Sequence, residues 1–339
     1  MQTIKVLEPG PFTTVQDGGR FGYQRYGMAP AGAMDEVAYR LGNLMLGNDA
    51  NAASLEFTLK GPRLEILQDT ILVVTGGRCV IKVNGNQEYS VYEPIVVKAN
   101  DQVEIEWITE GVRGYVIVQG GLDIPVVMQS RSTYLRGKIG GVEGARLRGG
   151  EELAVLEEHG SLGRALPEDR WPLYQPPFVI DVIMGPQTDF FTEEGIKTFL
   201  DGDFQISEAA DRMGYRLTGP EIMHVDKADI ISDGIPLGAI QVPGHRQPII
   251  MMKDRQTTGG YPKIATAASY EIYRLGQAKP GDGLSFKKVT LEEAKEKKDG
   301  FDKWYQELAE YVTQPDDGKK HFRVIVDDKS YFVSIKEID

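Results

Sequence analysis

Short apolar runs recur along most of this chain at the spacing of β-strands. Leu64-Glu65-Ile66, Ile71 to Val74, Cys79 to Val83, Ile95-Val96-Val97, Val103 to Trp107 and Tyr115 to Val118 run apolar or alternate, with Gly, Asn and Asp between them. Asn84-Gly85 separates two of these runs and predicts a tight hairpin, because both residues tolerate the positive φ of its turn. Many short strands at this spacing fit a closed barrel or sandwich better than a parallel sheet with crossover helices.

Two stretches change period toward helix. Met34 to Leu46 sets Val37, Ala38, Leu41, Leu44 and Met45 on one face, with Gly47 as its stop. A second helix is predicted after Thr290, where Thr290 and Glu293 suit a capping box and Leu291, Ala294, Trp304, Leu308 and Val312 recur; Gly300 is expected to interrupt it. Residues 157–177 are rich in Pro, Gly and charge, which sets a boundary before a new strand at Phe178 to Met184. Three units follow: residues 1–160 as a first β-barrel domain, 161–289 as a second, and 290–339 as a helix and hairpin tail. DGGRFGYQRYG at Asp17 to Gly27 and ADRMGYRLTG at Ala210 to Gly219 share Arg, Gly, Tyr and Arg in that order, a faint echo between the first two. In the tail, Phe322, Val324 and Val326 alternate against Tyr331, Val333 and Ile335, a hairpin that needs something to dock on.

Composition narrows the chemistry. A net charge of −12 over 339 residues argues against a nucleic-acid surface. A single cysteine, Cys79, forbids an intrachain disulfide and suits a reducing cytoplasm; no apolar run approaches the ~20 residues of a membrane span. The four histidines, at 159, 224, 245 and 321, lack ligand spacing, so no metal site is expected, and no Gly-x-Ser-x-Gly elbow occurs.

Three segments carry candidate chemistry. Thr13 to Asp35 joins Gly18-Gly19 to Gln16, Asp17, Arg20 and Arg25, suited to gripping a carboxylate or phosphate, although taken alone a Gly-rich turn with solvated or salt-bridged arginines is the commoner arrangement. Asp35 also fits the first turn of the helix behind it. Gln129 to Gly141 clusters Ser130, Arg131, Ser132, Thr133, Arg136 and Lys138 beside two glycines; it suits an anion or an exposed loop, but not a Walker loop, since Ser132 stands five residues before Gly137. Gln241 to Ala268 is the most informative, packing polar, charged and glycine residues where a core strand would be apolar. Thr257, Thr258, Gly259 and Gly260 offer hydroxyls and backbone donors to an anionic oxygen, and Gln241 and Gln247 complement an amide. Asp254, His245 and Lys263 are the candidate catalytic groups, although an imidazole packed at the Pro243-Gly244 turn is as common as a catalytic one.

Four ordered blocks, VQDGGRFGYQRYGMAPAGAMD, GGLDIP with QSRSTYLRGKIGG, SEAADRMGYRLTGPEI and IQVPGHRQPIIMMKDRQTTGGYPKIA, resemble the biotin-dependent carboxyltransferase family of the KipA type, also known as the C subunit of 5-oxoprolinase or allophanate hydrolase subunit 2. The resemblance covers residues 4 to 286. It implies tandem cyclophilin-like β barrels and a hetero-oligomer with a KipI-type B subunit. In the 5-oxoprolinase version, the B and C subunits together activate 5-oxoproline with ATP, held with Mg and shared between them, and a LamB/YcsF-type A subunit opens the ring to glutamate. Arg20, Arg131 or Arg136 would then meet the carboxylate and Gln241 or Gln247 the lactam, all in one cleft between the barrels. Two other roles stay open: a urea carboxylase-like carboxyltransferase using biotin, and a non-catalytic antagonist of a KipI-type kinase inhibitor. The tail resembles the leading hairpin of a biotin carrier, without an acceptor lysine.

Overall fold

A computed structural model describes residues 2–156, 160–315, 319–326 and 329–336. The first half contains β1 (Gln2–Glu8), β2 (Phe12–Gln16), α1 (Glu36–Met45), β3 (Ser54–Thr58), β4 (Arg63–Ile66), β5 (Thr70–Arg78), β6 (Val80–Val83), β7 (Gln87–Ser90), β8 (Ile95–Val97), β9 (Gln102–Ile105), β10 (Glu110–Val118) and β11 (Glu152–Ala154). They form a six-stranded sheet, β11-β1-β4-β9-β6-β7, and a five-stranded sheet, β2-β3-β10-β5-β8. Inward residues of both, among them Ile4, Val6, Ile66, Ile81 and Val103 from one and Val15, Leu55, Phe57, Val73 and Val116 from the other, share one core. The β6–β7 hairpin turns at Asn84 and Gly85, both at positive φ, as the pair predicts.

The second half contains β12 (Phe178–Met184), α2 (Glu193–Asp201), β13 (Phe204–Ile206), β14 (Gly214–Thr218), β15 (Asp233–Gly234), β16 (Ala239–Gln241), β17 (Ile249–Met251), β18 (Thr258–Gly259), β19 (Lys263–Ala267), α3 (Ile272–Gly276) and β20 (Gly283–Lys288). Seven of these strands close a barrel in the order β12-β19-β16-β17-β14-β13-β20, with the parallel β12–β20 pair completing the ring. Phe178, Ile180, Val182, Tyr215, Ile240, Ile250, Ile264 and Phe286 fill it. The mainly β fold with few helices therefore stands. Closure differs between the halves: two sheets sandwich the first core, whereas one continuous ring surrounds the second.

α1 begins where expected, because Asp35 caps it by accepting from Val37 N (3.1 Å) and Ala38 N (3.0 Å). α4 (Leu291–Thr313) carries the capping box of Thr290 and Glu293 but runs unbroken through Gly300, since exposed glycine weakens a helix by only about 1 kcal/mol. Leu308 and Val312 of α4 enter the first core, and so does Leu166 from the stretch between the halves. The echo pair adopts unlike structures, a loop with a 3-10 turn at Gln24–Tyr26 in one case and β14 in the other. β21 (Lys319–Val326) and β22 (Lys329–Lys336) pair as the predicted hairpin, with Phe322 opposite Val333 and Val324 opposite Tyr331. What its side chains dock on, and His159, lie outside the described residues.

Candidate functional site

The first two candidate loops meet, and a carboxylate joins them. β2 delivers Asp17 to the loop at residues 130–133. Its Oδ1 accepts from Gly19 N (2.8 Å), Ser130 Oγ (2.7 Å) and Ser132 Oγ (2.5 Å), and its Oδ2 accepts from Arg131 N (2.5 Å). Gly19 sits at φ 107°, a conformation glycine reaches without strain. Gln16 Nε2 donates to Thr133 O (3.2 Å), and Gln16 Oε1 accepts from Gly32 N (3.1 Å). Arg20 is fully buried, with Nε on Val127 O (3.0 Å) and Nη2 on Ser132 O (2.8 Å). Burial lowers its pKa against the pull of Asp17 and Asp254. Gln16 and Arg20, read from sequence as ligand-binding groups, thus face the protein itself and hold the loops in register.

Their joining shapes an open cleft of about 970 Å³ lined by Asp17, Gly18, Gly19, Phe21, Arg40, Asn48, Asn51, Gln129, Arg131 and Leu156. Arg131, half-buried, and Arg40 from α1 are its cations. Arg136 is exposed outside that lining, its Nη1 3.2 Å from Met213 Sδ.

Behind the cleft lies a buried polar joint between the halves. Arg212 donates to both Asp254 oxygens (3.1 Å each), to Glu56 and to Gly32 O (2.6 Å). Glu56 Oε2 also accepts from Met34 N and Tyr115 OH (2.8 Å each), and Asp35 Oδ2 accepts from Tyr174 OH (2.7 Å) and Gln277 Nε2 (2.8 Å). Burial opposes the charge on Arg212, but Asp254 and Glu56 outweigh it and raise its pKa. Burial pushes Asp35 up to about 6 against these hydrogen bonds. Asp254, nominated to move a proton, therefore has both oxygens engaged in an interior ion pair. Arg212 stands out in the sequence only as the first Arg of the echo, and Glu56 and Gln277 not at all, because partners far apart along the chain leave no periodic trace.

The third segment runs along one side of the barrel, through β16, β17 and β19 and the loops between them. Lys263, 3% exposed, reaches Asp233 Oδ2 (2.8 Å), and its backbone N donates to Gln187 Oε1 (3.2 Å). Gln241, 2% exposed, donates to Tyr261 O (3.0 Å). Thr258 and Gly259 pair with Asp233 and Gly234 as a small flap, while Thr257 O and Gly260 O accept from Ile235 N (3.0 Å) and Ile230 N (2.8 Å). The Thr257 to Gly260 turn is thus strand-paired rather than an open nest of donors. His245 is exposed, its Nδ1 accepting from Gln247 N (3.3 Å), and Gln247 Nε2 bonds Gly219 O (3.0 Å). No residue of this segment lines the cleft, so the single composite pocket expected from sequence resolves into two places. The joint connects them: Gln16 bonds Gly32, Gly32 bonds Arg212, Arg212 bonds Asp254, and the next residue, Arg255, donates to Ile235 O of the flap (3.0 Å).

Cys79 is buried, which pushes its thiol up to about 12 and leaves no nucleophile there. No helix among the described residues is long and apolar enough to cross a membrane.

A family profile, carboxyltransferase domain, subdomain A and B, matches residues 26–288. The C subunit of 5-oxoprolinase from Escherichia coli (strain K12) is 34% identical over 308 residues, 90% of this chain and 97% of that protein. Its namesake from Haemophilus influenzae is 34% identical over 86% of this chain and 93% of that one. The crystal structure of Kluyveromyces lactis urea carboxylase superposes with a TM-score of 0.84 at 29% identity, over 99% of this chain but 33% of that far longer one. With the match running through both subdomains, this chain belongs to the carboxyltransferase-domain family.

Proposed function

We propose that this chain is the C subunit of a cytoplasmic, ATP-dependent 5-oxoprolinase, working with a KipI-type B subunit and a LamB/YcsF-type A subunit. The observation that carries the reading is collinearity: the likeness to the Escherichia coli 5-oxoprolinase component extends over 97% of that protein, against 18% of the urea amidolyase of Lachancea kluyveri. 5-Oxoproline bears one carboxylate and one lactam. Arg131, in a cleft that Arg40 also lines, suits the carboxylate, because a guanidinium offers a planar pair of donors to it. Two guanidiniums mixed with neutral amides and two carboxylates, Asp17 and Asp49, do not make a triphosphate cradle, so in this reading the cleft takes the substrate and ATP, with Mg, is shared with the B subunit outside it.

The test is reconstitution of the three subunits and measurement of ADP release with and without 5-oxoproline. Release that depends on 5-oxoproline supports the reading, and indifference to it overturns the reading. In the same assay Arg131→Ala should raise KM on the order of 10- to 100-fold with a smaller change in kcat. Unchanged kinetics would remove Arg131 from substrate binding. A carboxyltransferase role with biotin is the second reading, favoured by 32% identity to the Lachancea kluyveri urea amidolyase over 88% of this chain. Transfer from a carboxylated biotin carrier to urea would decide for it.

A further inference from the structure

We propose that the β15–β18 flap covers a gated site for a small carboxylate, built on Lys263 and closed in this structure by Asp233 as an internal stand-in for the ligand. Burying a cation is costly unless an opposite charge goes with it. The Lys263 side chain is 4% exposed, yet its ion-pair partner, the Asp233 side chain, is 55% exposed on a strand of two residues. Arg255 is 6% exposed and donates only to carbonyls, Nε to Ile235 O (3.0 Å) and Nη1 to Met252 O (3.2 Å), with no carboxylate paired to it among the described residues. Burial alone lowers its pKa to about 10. Lys263 is thus neutralised by a carboxylate that water also reaches, and Arg255, bonded to the flap at Ile235, adds a buried positive charge with no carboxylate of its own among the described residues.

The covering flap is lightly held. It rests on the β15–β18 pairing, the Ile235 N to Thr257 O, Ile230 N to Gly260 O and Arg255 Nε to Ile235 O bonds, the small apolar cluster of Ile235, Ala239 and Met251, and the Asp233 ion pair. Elements with so few buried contacts open at a small fraction of the global unfolding free energy. Gly259 seats the flap: a Cβ there would lie 2.6 Å from Ile235 Cδ1 and 3.1 Å from Gln241 Nε2, so the strand rests directly on the Gln241 amide. Opening the flap frees Lys263 from Asp233 and uncovers Gln241, giving an ammonium and an amide for a carboxylate that carries its own polar group. In closed chains Asp233 competes with that ligand, and the apparent affinity falls by the closed fraction.

The inference stands or falls without the 5-oxoprolinase reading, since its test is binding to the full chain rather than turnover. Calorimetric titration with 5-oxoproline, acetate and inorganic phosphate at fixed ionic strength is made in an Arg131→Ala background, which silences the cleft. Asp233→Asn, at an exposed position that leaves the barrel core intact, should bind a carboxylate about 10-fold more tightly than the Arg131→Ala parent. Adding Lys263→Met should abolish that gain. Amide exchange at 234–235 and 257–260 should quicken in Asp233→Asn, which reports flap opening even where Lys263→Met fails to fold. Carboxylate affinity unchanged by Asp233→Asn overturns the proposal, whether or not exchange quickens. A gain for phosphate alone also overturns it.

Discussion

The Asp17 clamp and the Arg212 joint each hang on one buried charged side chain, but they satisfy it differently. Asp17 is held by two serine hydroxyls and two backbone N–H groups, all on loops of the first half. Arg212 lies between carboxylates from both halves, Glu56 from the sandwich and Asp254 from the barrel. The clamp therefore arranges local backbone and leaves Arg131 at the cleft, whereas the joint fixes one half against the other. A charge satisfied by neutral dipoles organises a site, and a charge satisfied by charges welds an interface.

The contrast breaks first at the joint. Arg212→Met should strand Glu56 and Asp254 in the interior and cost about 3–5 kcal/mol, read as a lower midpoint in urea. A loss below about 1 kcal/mol would show that the pair behaves as a solvated one. Asp17→Ala should cost less, about 2–3 kcal/mol for unpaired donors, with faster amide exchange confined to residues 16–20 and 130–133. Exchange spreading into β12 to β20 would erase the distinction between clamp and joint.

Asp35 sharpens the comparison, because it is a buried carboxylate with no cation bonded to it among the described residues. Its folded pKa of about 6 lies above the ordinary carboxylate value, so the native state binds the proton more tightly than the unfolded chain. The resulting stability is full below about pH 4 and is lost as pH rises through about 6. Wild type should therefore lose up to about 3 kcal/mol relative to Asp35→Asn between pH 4 and pH 7.5, measured by urea unfolding at each pH. A difference independent of pH would show that Asp35 ionises freely. The smallest effect is expected at Gly259→Ala, where the flap should exchange faster while global stability moves by less than about 1 kcal/mol.

Strands, caps and turns were legible in the chain because each obeys a local rule. Asn84-Gly85, Thr290 with Glu293, and Phe178 to Met184 were placed within a residue or two, since backbone conformation there depends on immediate neighbours. The unbroken passage of α4 through Gly300 was not legible, because packing of Leu308 and Val312 on the first core overrides one weak position. The candidate site shows the same divide. That the Gly18-Gly19 loop and the loop after Gln129 are unusual was readable from their composition. That Arg20 faces carbonyls while Arg131 faces the cleft was not, because the two differ only in what the fold brings beside them. Asp254 misled for a related reason, since its partner Arg212 lies 42 residues away.

The course of α4 has a consequence for how the chain is made. Leu308 and Val312 seal a core whose first strand begins at Gln2, and Arg164 Nε, in the stretch between the halves, donates to Tyr311 O (3.0 Å). Strand β1 must therefore wait through roughly 300 further residues of synthesis before the apolar interior it lines is shut. Until then a nascent sandwich leaves a greasy seam uncovered on the ribosome, and any premature stop before residue 308 releases a product that keeps the seam.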